Sequence, residues 1–483
     1  MKSDLILALR NKWVQCVLLS SLGLRIFFFI LLPKEPSILG PDEVTYAFLS
    51  RYVADGLPVQ EFPDFGPGLY NSTRSLILPS SALVQLGLNE LISVRLVSSI
   101  YGLLSSLFLI LCLMTILHSK KNRVDVDFFH YKLIVPVIVF TFMPSNFLWS
   151  ILGLRESSSQ FWIIATFYFL LKLYFEQGKS SLIFFFLSSL SLVFAFGARK
   201  ETALVLASCA LVMSFYILLN KRNPSIFGAV ALGLLGGQLF VATPAVKAVD
   251  VFFLAPSIES KSPAPTQSLE SKSPAPLLNA PSGACQNNLQ VVREQGNEYV
   301  CQKKTTYKME AANPLEITRS QVLSIKELSS IRAARAVDAK SALPQSGCID
   351  GDSDLRSLLI CNLKDFPLLF SSFLFRPFPL IDSGPPLYTI SSLENIVWLI
   401  VFLFLVCLSL LKKIDNVEKF ILISLFVYIF SFSALASLYQ GNLGTAFRHK
   451  SSILWPLMTA ISILLFSKKR GHQIKMTFPG LKV

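Results

Sequence analysis

Charge is what this sequence lacks most. Only 15% of its 483 residues are Asp, Glu, Lys or Arg, and histidine occurs four times. A soluble globular chain carries about a quarter charged residues, so the surface of an ordinary cytosolic domain cannot be built from this composition. Acidic residues are the scarcer sign, 30 against 44 Lys and Arg. The surplus does not indicate nucleic acid, because the basic residues fall in short clusters between apolar runs rather than in one patch, and a multispanning protein uses such clusters to set its orientation. No Cys-x-x-Cys pair and no histidine accompany the cysteines of the polar stretch, which argues against a structural zinc site.

What is present is apolar length. Hydrophobic residues make up 52% and the mean hydropathy is +0.56. Runs long enough to cross a bilayer are expected at roughly 12–33, 92–117, 132–152, 157–176, 180–197, 201–220, 225–247, 392–412, 418–438 and 450–467. The fold class is therefore an all-α polytopic membrane protein of about ten transmembrane helices. The basic Met1–Trp13 stretch leads into a run too long for a signal-peptide core, so an uncleaved first span is expected. With that end inside, the connections holding Lys120-Lys121, Lys179, Lys221-Arg222, Lys412-Lys413 and Lys468-Lys469 all fall on the cytoplasmic side, as the positive-inside rule requires. Both termini are then cytoplasmic, in an inner (plasma) membrane. The Leu76–Leu88 and Phe366–Ile381 stretches are too short or too Pro-interrupted to span, and are expected as helices lying on the outer surface.

The organisation expected is a transmembrane module over 1–247, a linker over 248–284, an extracytoplasmic cap and surface helix over 285–391, and a second transmembrane module over 392–483. The linker rests on the near-duplicated Ser260-Lys261-Ser262-Pro263-Ala264-Pro265 and Ser271-Lys272-Ser273-Pro274-Ala275-Pro276, a composition that buries no core. A helix is expected near 320–339. Cys285, Cys301, Cys348 and Cys361 lie in the cap, where disulfides fit an extracytoplasmic location. Pairing of nearest neighbours is the simplest of three connectivities, and the spacing does not choose among them. Cys16, Cys112, Cys209 and Cys407 lie within apolar runs.

Two adjacent acids, Asp42 and Glu43, follow the first span, with Tyr46 one turn on. Carboxylates at the edge of a bilayer are costly unless they face water or a cation. The alternative is a turn, started by Pro41 and ended by Asp42 as the cap of a helix over Val44–Tyr52. Arg155-Glu156, Arg199-Lys200-Glu201, Arg376 and Arg448-His449-Lys450 then place cations on the same outer face, where basic residues should be rare. Arg155-Glu156 and Lys200-Glu201 can also be read as local ion pairs, worth little at a surface. Guanidinium groups converging beside two acids describe a site that binds phosphate and does acid/base work. The Gly441–Gly444 stretch adds backbone freedom there.

The Asp-Glu pair directly after a first span, with its following Tyr, resembles the first-loop acidic motif of the GT-C superfamily of polytopic glycosyltransferases, which includes protein O-mannosyltransferases and aminoarabinose transferases. The resemblance covers roughly the first 250 residues. It implies a polyprenyl-phosphate-linked sugar as donor, a glycan, lipid or protein acceptor, and transfer with inversion on the extracytoplasmic face. It also implies Asp42 as base, with Glu43 orienting it, the acceptor or a divalent metal. The candidates for the donor phosphate are then Arg155, Arg199, Lys200, Arg376, Arg448 and Lys450. Arg376 and Arg448 are favoured because no acid neighbours them in sequence. An O-antigen-type polymerase would also use outer-face arginines. A flippase of lipid-linked sugars would carry polar or broken positions near the midplane of its spans.

Overall fold

The computed structural model describes residues 2–32, 41–59, 62, 66–118, 131–176, 179–219, 225–241, 289–295, 298–303, 355–377, 386–439 and 443–469. It is a helical multi-pass membrane protein. The helices are α1 (Lys2–Arg10), α2 (Lys12–Leu31), α3 (Pro41–Ala54), α4 (Gly66–Asn71), α5 (Arg74–Gln85), α6 (Glu90–His118), α7 (Tyr131–Phe142), α8 (Pro144–Ile151), α9 (Arg155–Phe175), α10 (Lys179–Ala198), α11 (Lys200–Leu219), α12 (Ser225–Val241), α13 (Leu355–Phe375), α14 (Pro386–Leu411), α15 (Asn416–Tyr439) and α16 (Leu443–Phe466). Among the described residues, α2, α6, α10, α14, α15 and α16 are long and apolar enough to cross a membrane. The pair α7 and α8, bent by 50° where Pro144 opens α8 without a donor N–H, meets the same length and composition only when its two helices are taken together.

Local chemistry starts these helices where the chain needs them. Asn11 accepts from the backbone N–H of Trp13 and Val14 to cap α2, and Asn89 does the same for Leu91 and Ile92 of α6. Asp415 and Glu418 exchange side-chain and backbone bonds in a capping box that opens α15. Gly153, at φ +64°, turns the chain between α8 and α9 in a conformation that side-chain-bearing residues avoid.

The long helices share one extended apolar core. Its centre is α9, which packs on α6, α10, α11, α12 and α16 and is buried from Glu156 to Leu173 on nearly every face. A helix buried all round needs no amphipathic stripe, and α9 has only a weak one. A second, smaller core gathers Tyr46, Leu49 and Val53 of α3 with Leu76 and Ile77 of α5, Val94 and Val97 of α6, Trp149 of α8 and Phe447 of α16. Spaced three and four apart, the three α3 residues form the face that ties this helix down beside the ends of α6, α9 and α16.

The opposite end of α16 is fixed separately. Lys412–Lys413 (β3) pairs antiparallel with Lys468–Lys469 (β4), and Lys412 donates to the Ser467 carbonyl. A hairpin of Leu289–Gln295 (β1) and Glu298–Lys303 (β2) belongs to a separate unit, Ala255–Ser324, while all the helices named above belong to the first unit.

Two expectations for the short helices are revised. The first stretch becomes α5, a helix too short to be among the candidate spans, and it packs into the protein: Arg74, Ser75, Leu76, Ile77, Ser80, Ser81 and Val84 are buried, because its small serines let it approach α3, α6 and α10 closely. The second begins earlier, at Leu355, and as α13 packs along α15 through Phe366, Phe370 and Phe430. Asp42 does not cap α3 from outside, since Pro41 is the first helical residue and both acids lie in the first turn. Cys285, Cys348 and the expected helix over 320–339 lie outside the described residues, as do the side chains of Cys301 and Cys361, so the disulfide expectation does too.

Candidate functional site

The first turn of α3 separates its two acids. Successive helical residues point about 100° apart, so one carboxylate can face the mouth of the bundle while the next turns inward. Glu43 is fully buried and accepts from Nε and Nη2 of Arg95 on α6, at 2.6 and 3.0 Å. Asp42 keeps its side chain 45% exposed and meets Nη1 of Arg448 on α16 at 2.5 Å. These two residues are 406 positions apart in sequence. The ring of Trp149 lies 6.0 Å from the Arg448 guanidinium and packs edge-on against Phe447.

Three more of the expected residues join this pair. Glu156, buried in the first turn of α9, pairs at 3.0 Å with Nη2 of Arg199, the equally buried residue just before α11. Arg155 turns the other way and donates to the Ser72 hydroxyl at 3.0 Å. Neighbouring charges on a helix do not face each other, so the local Arg155-Glu156 pair does not form. Tyr46 is buried among these groups, within electrostatic reach of Asp42, Arg155, Glu156 and Arg448. Burial pushes its phenol up to about 12, with Arg155 and Arg448 opposing and Glu156 and Asp42 adding. Glu156 Oε2 and Arg199 Nη1 are both buried with no hydrogen-bond partner.

The remaining expected residues are placed differently. Lys450 is wholly buried and donates to the Arg376 backbone carbonyl and, at 2.8 Å, to Asn395 Oδ1. It ties the end of α13 to α14 instead of presenting its ammonium at the mouth. Asn395 in turn donates to the Pro377 carbonyl, and its neighbour Glu394 accepts from Ser145 N–H and Trp398. The side chain of Arg376 is half-buried at this junction. His449 is buried, its ring 6.5 Å from Phe432. Lys200 is half-buried beside the exposed Glu201 in the first turn of α11. Gly441 and Asn442 lie outside the described residues. No group of three or more His, Cys, Asp or Glu that could hold a metal occurs among the described residues, and Arg95 occupies the carboxylate that would have joined Asp42 as a ligand.

Sequence reasoning missed Arg95, Glu394, Asn395 and Gln160, whose amide donates to the Ser451 carbonyl to join α9 to α16. The signal was there. Arg95 and Glu394 stand within or at the edge of apolar runs, where an ionisable side chain needs a partner.

Further along α9, α11, α15 and α16 lies a narrow apolar cleft with a free volume of only about 30 Å³, lined by Phe167, Tyr174, Leu206, Cys209, Phe420 and Trp455 among others. Trp455 is seven residues from Arg448 on the same helix, about 10 Å along its axis. The ionic cluster lies at one end of the bundle, and this narrow apolar space lies toward the other, near the end of α9 and the start of α15. Comparison with protein-family models, curated proteins and solved structures finds no match for this chain.

Proposed function

We propose that this chain is a membrane glycosyltransferase that moves a sugar from a polyprenyl-phosphate-linked donor to an envelope acceptor at the extracytoplasmic face of the inner membrane, with ten spans and both termini cytoplasmic. The observation that carries the reading is the half-exposed Asp42 paired with Arg448 across the two ends of the sequence, with Arg155, Glu156, Arg199 and Tyr46 gathered around it. Support for the topology comes from the same geometry. The ends of α3, α9, α11 and α16 that meet here are those expected outside, while Lys412-Lys413 and Lys468-Lys469 meet at the other end.

In the resting state Arg448 occupies the Asp42 carboxylate. A donor phosphate entering the mouth competes for that guanidinium, and its capture leaves Asp42 able to accept a proton. The acceptor hydroxyl gives its proton to Asp42 as its oxygen bonds to the anomeric carbon. The bond from that carbon to the phosphate oxygen breaks, and polyprenyl phosphate leaves with the electron pair. Cations fixed in advance stabilise the charge that grows on the leaving phosphate more than they stabilise the ground state.

The test is release of polyprenyl phosphate from a sugar-loaded carrier by purified protein offered candidate acceptors. Asp42→Asn should lower turnover about 10²- to 10⁴-fold while the donor still binds. Arg448→Ala should weaken donor binding by about 2–5 kcal/mol. Near-normal transfer by Asp42→Asn would overturn the reading. A polymerase would show the reverse emphasis, and a flippase would move the carrier with no cleaved sugar–phosphate bond in any variant.

A further inference from the structure

Two Lys-Lys dipeptides that the sequence separates by a whole helical hairpin meet in the fold. α14 ends at Leu411 and α16 at Phe466, each the last residue of an apolar stretch long enough to cross a membrane, and a lysine pair follows each within two residues of that limit. Lysines placed there stand at the level of the lipid headgroups. The backbone fixes their register: Lys412 stands opposite Lys469, and Lys413 opposite Lys468. Lys412 Nζ also donates to the Ser467 carbonyl at 3.2 Å, which closes the same junction from a side chain.

Four like charges in register oppose the pairing that holds them together. Residues directly opposite on antiparallel strands have their Cβ atoms about 4.5–5.5 Å apart, and like charges placed so are destabilising. Lys419, exposed in the first turn of α15, adds a fifth. The acids nearby in the chain are Asp415 and Glu418 of the α15 capping box. Five lysines stand against two acids, so three positive charges remain whatever pairs form among them. On one flank of this junction the surroundings are apolar and open: Leu403, Phe404, Val406, Leu410 and Leu411 of the last turns of α14 are exposed, which places lipid directly beside the lysines.

We propose that the paired Lys412-Lys413 and Lys468-Lys469 strands form a docking surface for the anionic headgroups of the leaflet in which α14 and α16 end. An ammonium meets a phosphate oxygen as a point charge without demanding a set orientation, which suits a fluid headgroup layer. Each lysine clustered just beyond a span adds about 1 kcal/mol of attraction to anionic lipid, roughly a fivefold change in affinity. The lipid supplies counter-charge to the three surplus positive charges, so the contact that recruits it also steadies the tie between α14 and α16. This surface lies at the other end of the bundle from Asp42 and does not depend on the transfer reaction.

The experiment uses the full-length protein, delipidated in maltoside detergent, with its thermal unfolding midpoint followed as phosphatidylglycerol, phosphatidylcholine of the same chains, or glycerol phosphate is added. Phosphatidylglycerol should raise the midpoint well beyond phosphatidylcholine, and most of that difference should vanish as salt rises from about 0.01 M to about 1 M, where the screening length falls from about 30 to about 3 Å. In the double variant Lys413→Gln with Lys468→Gln, which leaves the Lys412 bond in place, the phosphatidylglycerol concentration giving half the effect should rise about 25-fold, a fivefold step for each lysine. Without lipid the same variant should melt no lower than the parent, because it has lost a like-charge pair. Lys413→Arg with Lys468→Arg should respond as the parent does. Lys120→Gln with Lys121→Gln, an equal loss of charge in another connection expected on the same side, should shift the half-effect concentration far less. Equal responses of the parent to phosphatidylglycerol and phosphatidylcholine would overturn the proposal without any variant. So would glycerol phosphate as effective as the lipid, an unchanged half-effect concentration in the glutamine variant at 413 and 468, or an equal shift in the one at 120 and 121.

Discussion

Replacing Glu43 by Gln tests whether the two adjacent acids have divided their work between structure and chemistry. Glu43 is 0% exposed and Arg95 3%, and both oxygens of the carboxylate are engaged by the guanidinium. Gln keeps the shape but carries no charge, so Arg95 stays buried beside a neutral amide. Breaking a buried pair in this way costs about 3–5 kcal/mol, most of it the penalty for the stranded charge. Asp42→Asn removes an equal charge from a side chain that is 45% exposed, where the loss is about 0–1 kcal/mol. Thermal unfolding of both variants in the same detergent should therefore show a large fall for Glu43→Gln and a small one for Asp42→Asn. The double replacement Glu43→Leu with Arg95→Met should recover much of what Glu43→Leu alone loses, since no charge is then left unpaired. Equal stability of the two single variants, or no recovery in the double, would refute the division of labour.

Gly153→Ala should destabilise the α8 to α9 turn by about 1–2 kcal/mol, because the residue sits at φ +64° and its Cβ would meet Val94 at 3.0 Å, Glu43 Oε1 at 3.2 Å and the Arg95 backbone N at 3.3 Å; an unchanged melting midpoint would count against the turn. The Tyr46 phenol is raised to about 12 from the usual 10, so its contribution to stability is complete below pH 10 and is lost as the pH rises from 10 towards 12. A Tyr46→Phe difference titration should accordingly lose phenolate absorbance only above about pH 11, and a loss centred near pH 10 would contradict the burial. For the topology, an impermeant thiol reagent should label single cysteines placed near Asp64 and Gln295 in intact cells and leave those at Lys121 and Lys413 unlabelled; labelling at Lys413 but not Gln295 would invert the map.

The helices were legible in the sequence because each needed only apolar length: every one of the ten expected runs falls on helix, the 132–152 run on the bent pair α7 and α8, while six of the described helices are long and apolar enough to cross a membrane by themselves. The partners of the charges were not legible. Sequence neighbours suggested that Arg155 pairs with Glu156 and that Arg448, with no nearby acid, stands alone. In the folded chain Glu156 is held by Arg199 and Arg448 by Asp42, since helix geometry turns neighbours apart and the packing of α9, α11 and α16 brings distant turns together. Lys450 misled for a related reason. It follows Arg448 by two residues, which on a helix is nearly the opposite face, so one reaches the mouth and the other is buried against α13 and α14. Arg95 could have been found by asking which ionisable residue inside a span lacked a partner, but the answer, Glu43, lies beyond a whole intervening helix pair.

The charge balance of the cluster follows from this division. Glu43 and Arg95 cancel each other in the interior, and Lys200 and Glu201 cancel at the start of α11. That leaves Asp42 and Glu156 against Arg155, Arg199 and Arg448, one positive charge in excess where apolar side chains back the groups and screening by water is weak. A site intended for a cation, or for two carboxylates sharing a proton, would have the opposite balance. The excess is small enough that the cluster holds together without a ligand, through the Asp42 to Arg448 contact; opening that contact leaves the net charge as it is but frees the Arg448 guanidinium. Under the proposed transfer, an anion that takes the Arg448 guanidinium leaves the Asp42 carboxylate without its partner, so the proposal ties phosphate binding to the availability of the proposed base.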